Sequence, residues 1–220
     1  LGDGVNEPAT TLTDYLLAAE CAAFAIALAR VRAPSLVRSA FVTLFASASL
    51  AALVGGTVHG FFPQDGAASR SLWLITLLSI GVTAAAMLTL AARLVLDSAP
   101  ARDIVVAAAL LWLAYAGIVL FISRDFVVAI AAYLPAALVL MIVLARDWLR
   151  DRGAGAAAGM GGVLLALLGA AGQQAGLGVH PQHFDHNAVY HVVQMAALYL
   201  LFRCAMASSA ASAGVLPAAR

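Results

Sequence analysis

Seven apolar stretches leave this chain few ways to fold, because each is close to the ~20 residues an α-helix needs to cross the hydrocarbon core of a bilayer. They run over roughly 13–31, 36–61, 72–96, 104–122, 126–148, 156–175 and 187–207. The breaks between them carry arginine, aspartate, proline or glycine: "RVRAPS", "PQDGAASR", "DSAPARD", "SRD", "RDWLRDRGAG" and "GLGVHPQHFD". In hydrocarbon every backbone polar group must be satisfied within its own segment, so apolar runs of this length become helices. The short connections predict a serial up-and-down bundle. The expectation is an all-α membrane protein, a seven-transmembrane-helix bundle forming one domain over residues 1–220. The first stretch does not read as a signal peptide, since its flank "LGDGVNEPATT" is acidic where a signal needs basic residues. The alanine-rich tail beyond Ala207 is expected to fray.

Composition agrees and excludes several classes. Hydrophobic residues make up 64% of the 220 and charged residues 10%, with a mean hydropathy of +0.98; soluble domains carry about 25% charged residues. A formal net charge of +1 argues against nucleic acid or any other polyanion as a partner. All twelve basic residues are arginine, and without a lysine there is no retinal Schiff base, which removes a rhodopsin. Cys21 and Cys204 lie in apolar segments and read as small buried hydrophobes. The alanine and arginine bias suggests a GC-rich bacterial genome, hence a bacterial cytoplasmic (inner) membrane.

Arginine placement sets an orientation, because cytoplasmic loops attract basic residues. With the N-terminus outside, the inner side holds Arg30, Arg32, Arg38, Arg93, Arg102, Arg146, Arg150, Arg152, Arg203 and Arg220, and the outer side only Arg70 and Arg124. Ten against two predicts the N-terminus outside and the C-terminus in the cytoplasm.

That orientation gathers scarce polar residues at one face. Four of the five histidines (His180, His183, His186 and His191) lie within twelve residues, two of them inside "FDHNAVYHVVQ" at the start of the seventh stretch, and His59 lies near the outer end of the second. Gln173 and Gln174 close the sixth stretch at the same level; Glu20 lies about 10 Å into the first, by helical rise, and Ser71 opens the third. Asn187, His191 and Gln194 are spaced i, i+4, i+7 and form one stripe. His186 and His191 point about 140° apart on a regular helix. They can serve one site only if the helix opens near His186, with Asp185 as a natural N-cap. Ionisable groups inside a membrane are functional candidates by default.

Seven spans, a histidine at the outer end of the second helix and a polar stripe opening the seventh resemble the CREST superfamily of alkaline ceramidases and adiponectin and progestin receptors. "FDHNAVYHVVQMAALYLL" is also similar to the signature of an uncharacterised bacterial membrane family near that group. The resemblance implies zinc held by one helix-2 histidine and two helix-7 histidines in an HxxxH pattern, activating water to cleave a lipid amide. His59 matches the helix-2 ligand and His191 the second helix-7 ligand; Asn187 stands where the first would be. The family serine falls at Gly55 and the helix-3 aspartate at Arg70. On this reading the protein is a divergent zinc-dependent hydrolase acting on a lipid amide or ester in the outer leaflet. His59, His191 and His186 are metal ligands, with His183, Glu20 or Asp185 as alternatives for the third. Glu20 is a catalytic base, Asn187 positions a carbonyl or the water, and Gln173, Gln194 and Ser71 support them. Two other classes stay open: a non-catalytic accessory subunit of a larger membrane complex, and a haem protein ligated by His59 and His191.

Overall fold

The computed structural model describes residues 5–31, 35–62, 66–180 and 183–212. Seven helices occupy them: α1 Pro8–Ala29, α2 Leu36–Phe61, α3 Ala67–Val95, α4 Ser98–Phe121, α5 Phe126–Asp151, α6 Ala154–Gln174 and α7 His186–Ser212. All seven are long and apolar enough to cross a membrane, and the protein is an integral membrane protein.

The helices overrun the apolar stretches where the first or last turn is polar. α1 starts at Pro8 instead of Thr13: proline fits the first helical turn, whose N–H groups lack intrahelical partners, and the Thr11 hydroxyl donates to the Glu7 carbonyl at 2.7 Å. α4 starts at Ser98 instead of Ile104, again with a proline, Pro100, in the opening turn. α5 runs on to Asp151 and stops where Arg152 takes a left-handed conformation (φ 53°), its guanidinium 4.2 Å from the Trp148 ring centroid. α7 opens at His186 because Asp185 caps it, Oδ1 accepting the Ala188 amide at 2.9 Å. At the other end α7 continues past Ala207 to Ser212; the rest of the tail lies outside the described residues.

Six helices close a ring in the order α1, α2, α3, α5, α6, α7 and back to α1. α4 stands outside it, packed on α3 and barely touching α5. Its Tyr115 hydroxyl donates to the Leu77 carbonyl at 2.8 Å, and the Tyr115 ring lies over Gly81, where a Cβ would come within 2.4 Å of it. Small residues set the closest approaches. A Cβ on Gly56 would stand 2.7 Å from the Cβ of Asp14, and one on Gly162 would stand 2.6 Å from the Ala197 carbonyl oxygen. Such positions let helix backbones meet in a medium where helix–helix packing cannot rely on the hydrophobic effect.

The ring is filled along only half its length. Where α1 ends and α2 begins, Leu28, Phe41, Leu44, Phe45, Met87, Leu90, Leu140 and Leu201 are fully buried. Phe24 stacks on Phe202 there, with centroids 4.3 Å apart. In the other half, where α1, α3, α5 and α7 begin and α2 and α6 end, the ring encloses a cavity of about 690 Å³.

Candidate functional site in the hollow half of the ring

The six ring helices all contribute to the cavity wall, and α4 does not. The deeper part of the wall is mostly apolar or small, with Leu17, Ala48, Ala51, Ala52 and Ile80, and carries one hydroxyl, Thr83. Towards the mouth it turns polar, through Asp14, His59, Gln173, Gln174, His186, Asn187, His191 and Gln194.

The centre of this polar wall joins α1 to α7. His191 is 8% exposed and Asp14 only 4%. The His191 Nε2 lies 3.3 Å from Asp14 Oδ1, and its Nδ1 lies 3.1 Å from the Thr13 hydroxyl. That hydroxyl is also within reach of the Ala9 and Thr10 carbonyls, at 2.9 and 3.0 Å, so backbone acceptors compete for its proton. With Thr13 donating to a carbonyl, Nδ1–H donates to Thr13. Nε2 and Asp14 then share one proton between them, because two bare acceptors at that distance would repel. The arrangement is a buried carboxylate–imidazole pair whose ring orientation a hydroxyl fixes. Asp14 Oδ2 faces α2 and α3: a Cβ on Gly55 would lie 3.8 Å from it and 3.6 Å from Thr76 Cγ2.

A second carboxylate–imidazole pair, more exposed, lies nearer the mouth. His59 Nδ1 is 3.0 Å from Glu7 Oε2, a charge-pair distance without hydrogen-bond alignment. The His59 and Trp73 rings make a T-shaped pair with centroids 6.4 Å apart. Glu7 and Asp14 are seven residues apart on one side of α1, and this spacing lets a single helix present carboxylates to both histidines. His59 and His191 line the same cavity. The Thr10 hydroxyl donates to Asp185 Oδ1 at 3.1 Å, tying α1 to the cap of α7.

Of the residues singled out in the sequence, His59, His191, His186, Asn187, Gln173 and Gln194 all line the cavity. Gln173 Nε2 donates to Asn187 Oδ1 at 2.9 Å, which leaves the Asn187 amide N–H₂ as a donor. Gln194, 8% exposed, interacts with the Tyr133 hydroxyl, and its Oε1 is buried without a partner. Glu20 is not in the wall; its Oε2 is buried and unpartnered beside Cys21. Ser71 is exposed on α3 and donates to the Ala67 carbonyl. His180 and His183 are exposed in the loop before α7, their rings stacked 4.5 Å apart. Asp14, Thr13, Glu7, Trp73, Tyr133 and Tyr190 belong to the site without having been singled out. The spacing Thr10, Asp14, Leu17, i, i+4, i+7, was the signal for an inward stripe on α1.

As arranged, these donors do not form a metal centre. Among the described residues no three histidine, cysteine, aspartate or glutamate side chains come together in a group that could hold an ion. Both His191 nitrogens are engaged, and one would have to leave Thr13 or Asp14 to bind metal.

Fold and site define a polytopic membrane protein with a half-hollow helical ring and a buried carboxylate–imidazole pair in its wall. The chain belongs to a family of unknown function (DUF6962), which it matches over residues 9–210. No curated protein and no solved structure matches it.

Proposed function

We propose that this is a membrane hydrolase-like protein that draws an amphiphile bearing an amide or ester into the hollow half of the ring. The observation that carries this reading is the Asp14–His191 pair in the polar band of a cavity whose deeper wall is mostly apolar. An acyl chain suits the inner wall, and the scissile carbonyl sits at the polar band. Asp14 is the general base: Oδ1 is held by His191 and Oδ2 takes the proton of the attacking water. The Asn187 N–H₂ donates to the developing oxyanion, and the His59–Glu7 pair returns a proton to the leaving group. General acid–base groups of this kind contribute about 10²–10⁴-fold each.

The arginine bias supports an N-terminus outside and a C-terminus in the cytoplasm, so the cavity mouth faces the outer leaflet of a bacterial inner membrane. A cysteine introduced at His183 should then react with an impermeant reagent from outside, and one at Arg150 should not. The CREST resemblance extends this reading to zinc. Zinc would supply Lewis-acid activation of water, but the donors as arranged do not fit it, with both His191 nitrogens engaged by Thr13 and Asp14.

Proteoliposomes carrying fluorescent N-acyl and O-acyl lipids test the function. Wild type should release labelled fatty acid from one of them and Asp14→Asn should lose about 10²-fold or more. Release from neither lipid, with folded protein in both orientations, would overturn the proposal in favour of an accessory subunit. Metal content measured on the same sample separates the zinc form of the reading from the metal-free one, and a Soret band would mark haem.

A further inference from the structure

We infer that the amphiphile taken by this cavity carries a protonated amine with N–H groups. This rests on the reading of the cavity as the ligand site and adds the chemistry of the head group. Three features of the wall point the same way.

The first is charge. Asp14 is an acid in the lining, and none of the described lining residues is an arginine, in a chain that has no lysine. Glu7, held at His59, adds a second carboxylate towards the mouth. Each carboxylate stands against an imidazole with which it can share a proton, so a lining without arginine offers an anionic head no permanent cation, and a desolvated anion without a partner is costly.

The second is an unsatisfied acceptor. Gln194 Oε1 is buried and unpartnered in a side chain that lines the cavity. Eight residues beyond the start of α7, it stands about 12 Å below the first turn by helical rise. A buried acceptor without a partner is destabilising unless a donor arrives. A ligand N–H or O–H brought to that depth would satisfy it. Asp14 Oδ2, beside Gly55 and Thr76, stays with the attacking water, so Gln194 is the acceptor left to the head group. A protonated primary amine has an N–H for Gln194, and hydrogen bonds to a charged donor are about twice as strong as neutral ones.

The third is the aromatic content. Trp73, Phe126, Tyr133 and Tyr190 all line the same space, with the Trp73 and Phe126 centroids 6.0 Å apart. Aromatic faces attract a desolvated cation. A quaternary ammonium would use those faces as well as a primary amine would, but it has no N–H for Gln194. The acceptor therefore makes the inference sharper than a general preference for cations.

The test is equilibrium binding to the full chain in phosphatidylcholine nanodiscs, with empty nanodiscs subtracted to remove simple partitioning. The probes are octylamine, octyltrimethylammonium, octanol and octanoate, which share a tail. Octylamine should bind about tenfold or more tighter than octanol or octanoate, and severalfold tighter than octyltrimethylammonium. Gln194→Leu should erase the gap between the two cations, and Gln194→Glu should widen the preference for octylamine over octanol. Octanol or octanoate binding wild type as tightly as octylamine would overturn the inference, as would a Gln194→Leu protein that keeps the gap between the cations. Binding needs no turnover, so the two proposals fail separately. A protein that selects amines and cleaves nothing refutes the hydrolase reading alone. One that cleaves acyl lipids without selecting amines refutes this inference alone.

Discussion

Along the inward stripe of α2, Phe41, Leu44 and Phe45 fill the centre of the ring, whereas Ala48, Ala51, Ala52, Gly55 and His59 line a void. The change takes one helical turn. It is matched on the facing helices: Met87 and Leu90 give way to Thr76 and Thr83 on α3, and Leu140 and Leu144 to Ala129 and Tyr133 on α5. The same ring thus carries two kinds of packing. Large side chains in the filled half fix the bundle. Small ones in the other half leave room, and the scarce polar groups are spent on the walls of that room. A void lined only by apolar groups would be a cost without return. A void lined by paired carboxylates, imidazoles and amides has a use.

The largest expected effect comes from emptying the filled half. Phe45→Ala removes a fully buried ring and should cost about 3–5 kcal/mol of stability, read from denaturation in mixed micelles. Ile130→Ala, a truncation that only enlarges the existing space, should cost about 1 kcal/mol or less, because its side chain already borders the cavity. Equal costs at the two sites would dissolve the distinction between the halves.

Two neighbouring glycines sharpen it next. A Cβ at Gly56 would stand 2.7 Å from Asp14 Cβ, so Gly56→Ala should push α1 from α2 and destabilise by about 1–3 kcal/mol. At Gly55 the nearest atom would be 3.6 Å away, so Gly55→Ala should be stable within about 1 kcal/mol. If Gly55→Ala proves the more damaging of the pair, the approach of α1 to α2 has been misplaced.

Smaller effects follow at the seams. Asp185→Ala removes the cap of α7 and its tie to Thr10 and should cost about 0.5–2 kcal/mol, with faster amide exchange confined to the first turn of α7. Tyr115→Phe removes the hydrogen bond from α4 to Leu77 and should cost about 1 kcal/mol, leaving the cavity intact because α4 takes no part in it.

Much of this was legible in the chain. Apolar run length located all seven helices, because the bilayer fixes the length of a span. The stripe Asn187, His191, Gln194 and the position of His59 placed four cavity residues, since helical periodicity is insensitive to where a helix begins. The change from phenylalanine to alanine and glycine along α2 stands in the sequence too, but it marks a cavity only once the inward face of the helix is known. Three features escaped. Helix starts such as Pro8 and Ser98 are polar rim turns, which hydropathy does not register. Asp14 belongs to an acidic opening segment, and only the position of α7 beside α1 gives it His191 as a partner. The displacement of α4 outside the ring is a choice of neighbours, α3 packing on α5, which connection lengths do not specify.

The central claim, that the hollow half is a ligand cavity and not a packing defect, has a direct test. Native mass spectrometry of the protein released from its own membrane should show a bound amphiphile that survives activation in wild type. In Gly55→Leu, whose side chain would grow into the void beside Asp14 and Thr76, that adduct should be absent while the protein stays folded. The same adduct, in the same proportion, on both proteins would contradict the account.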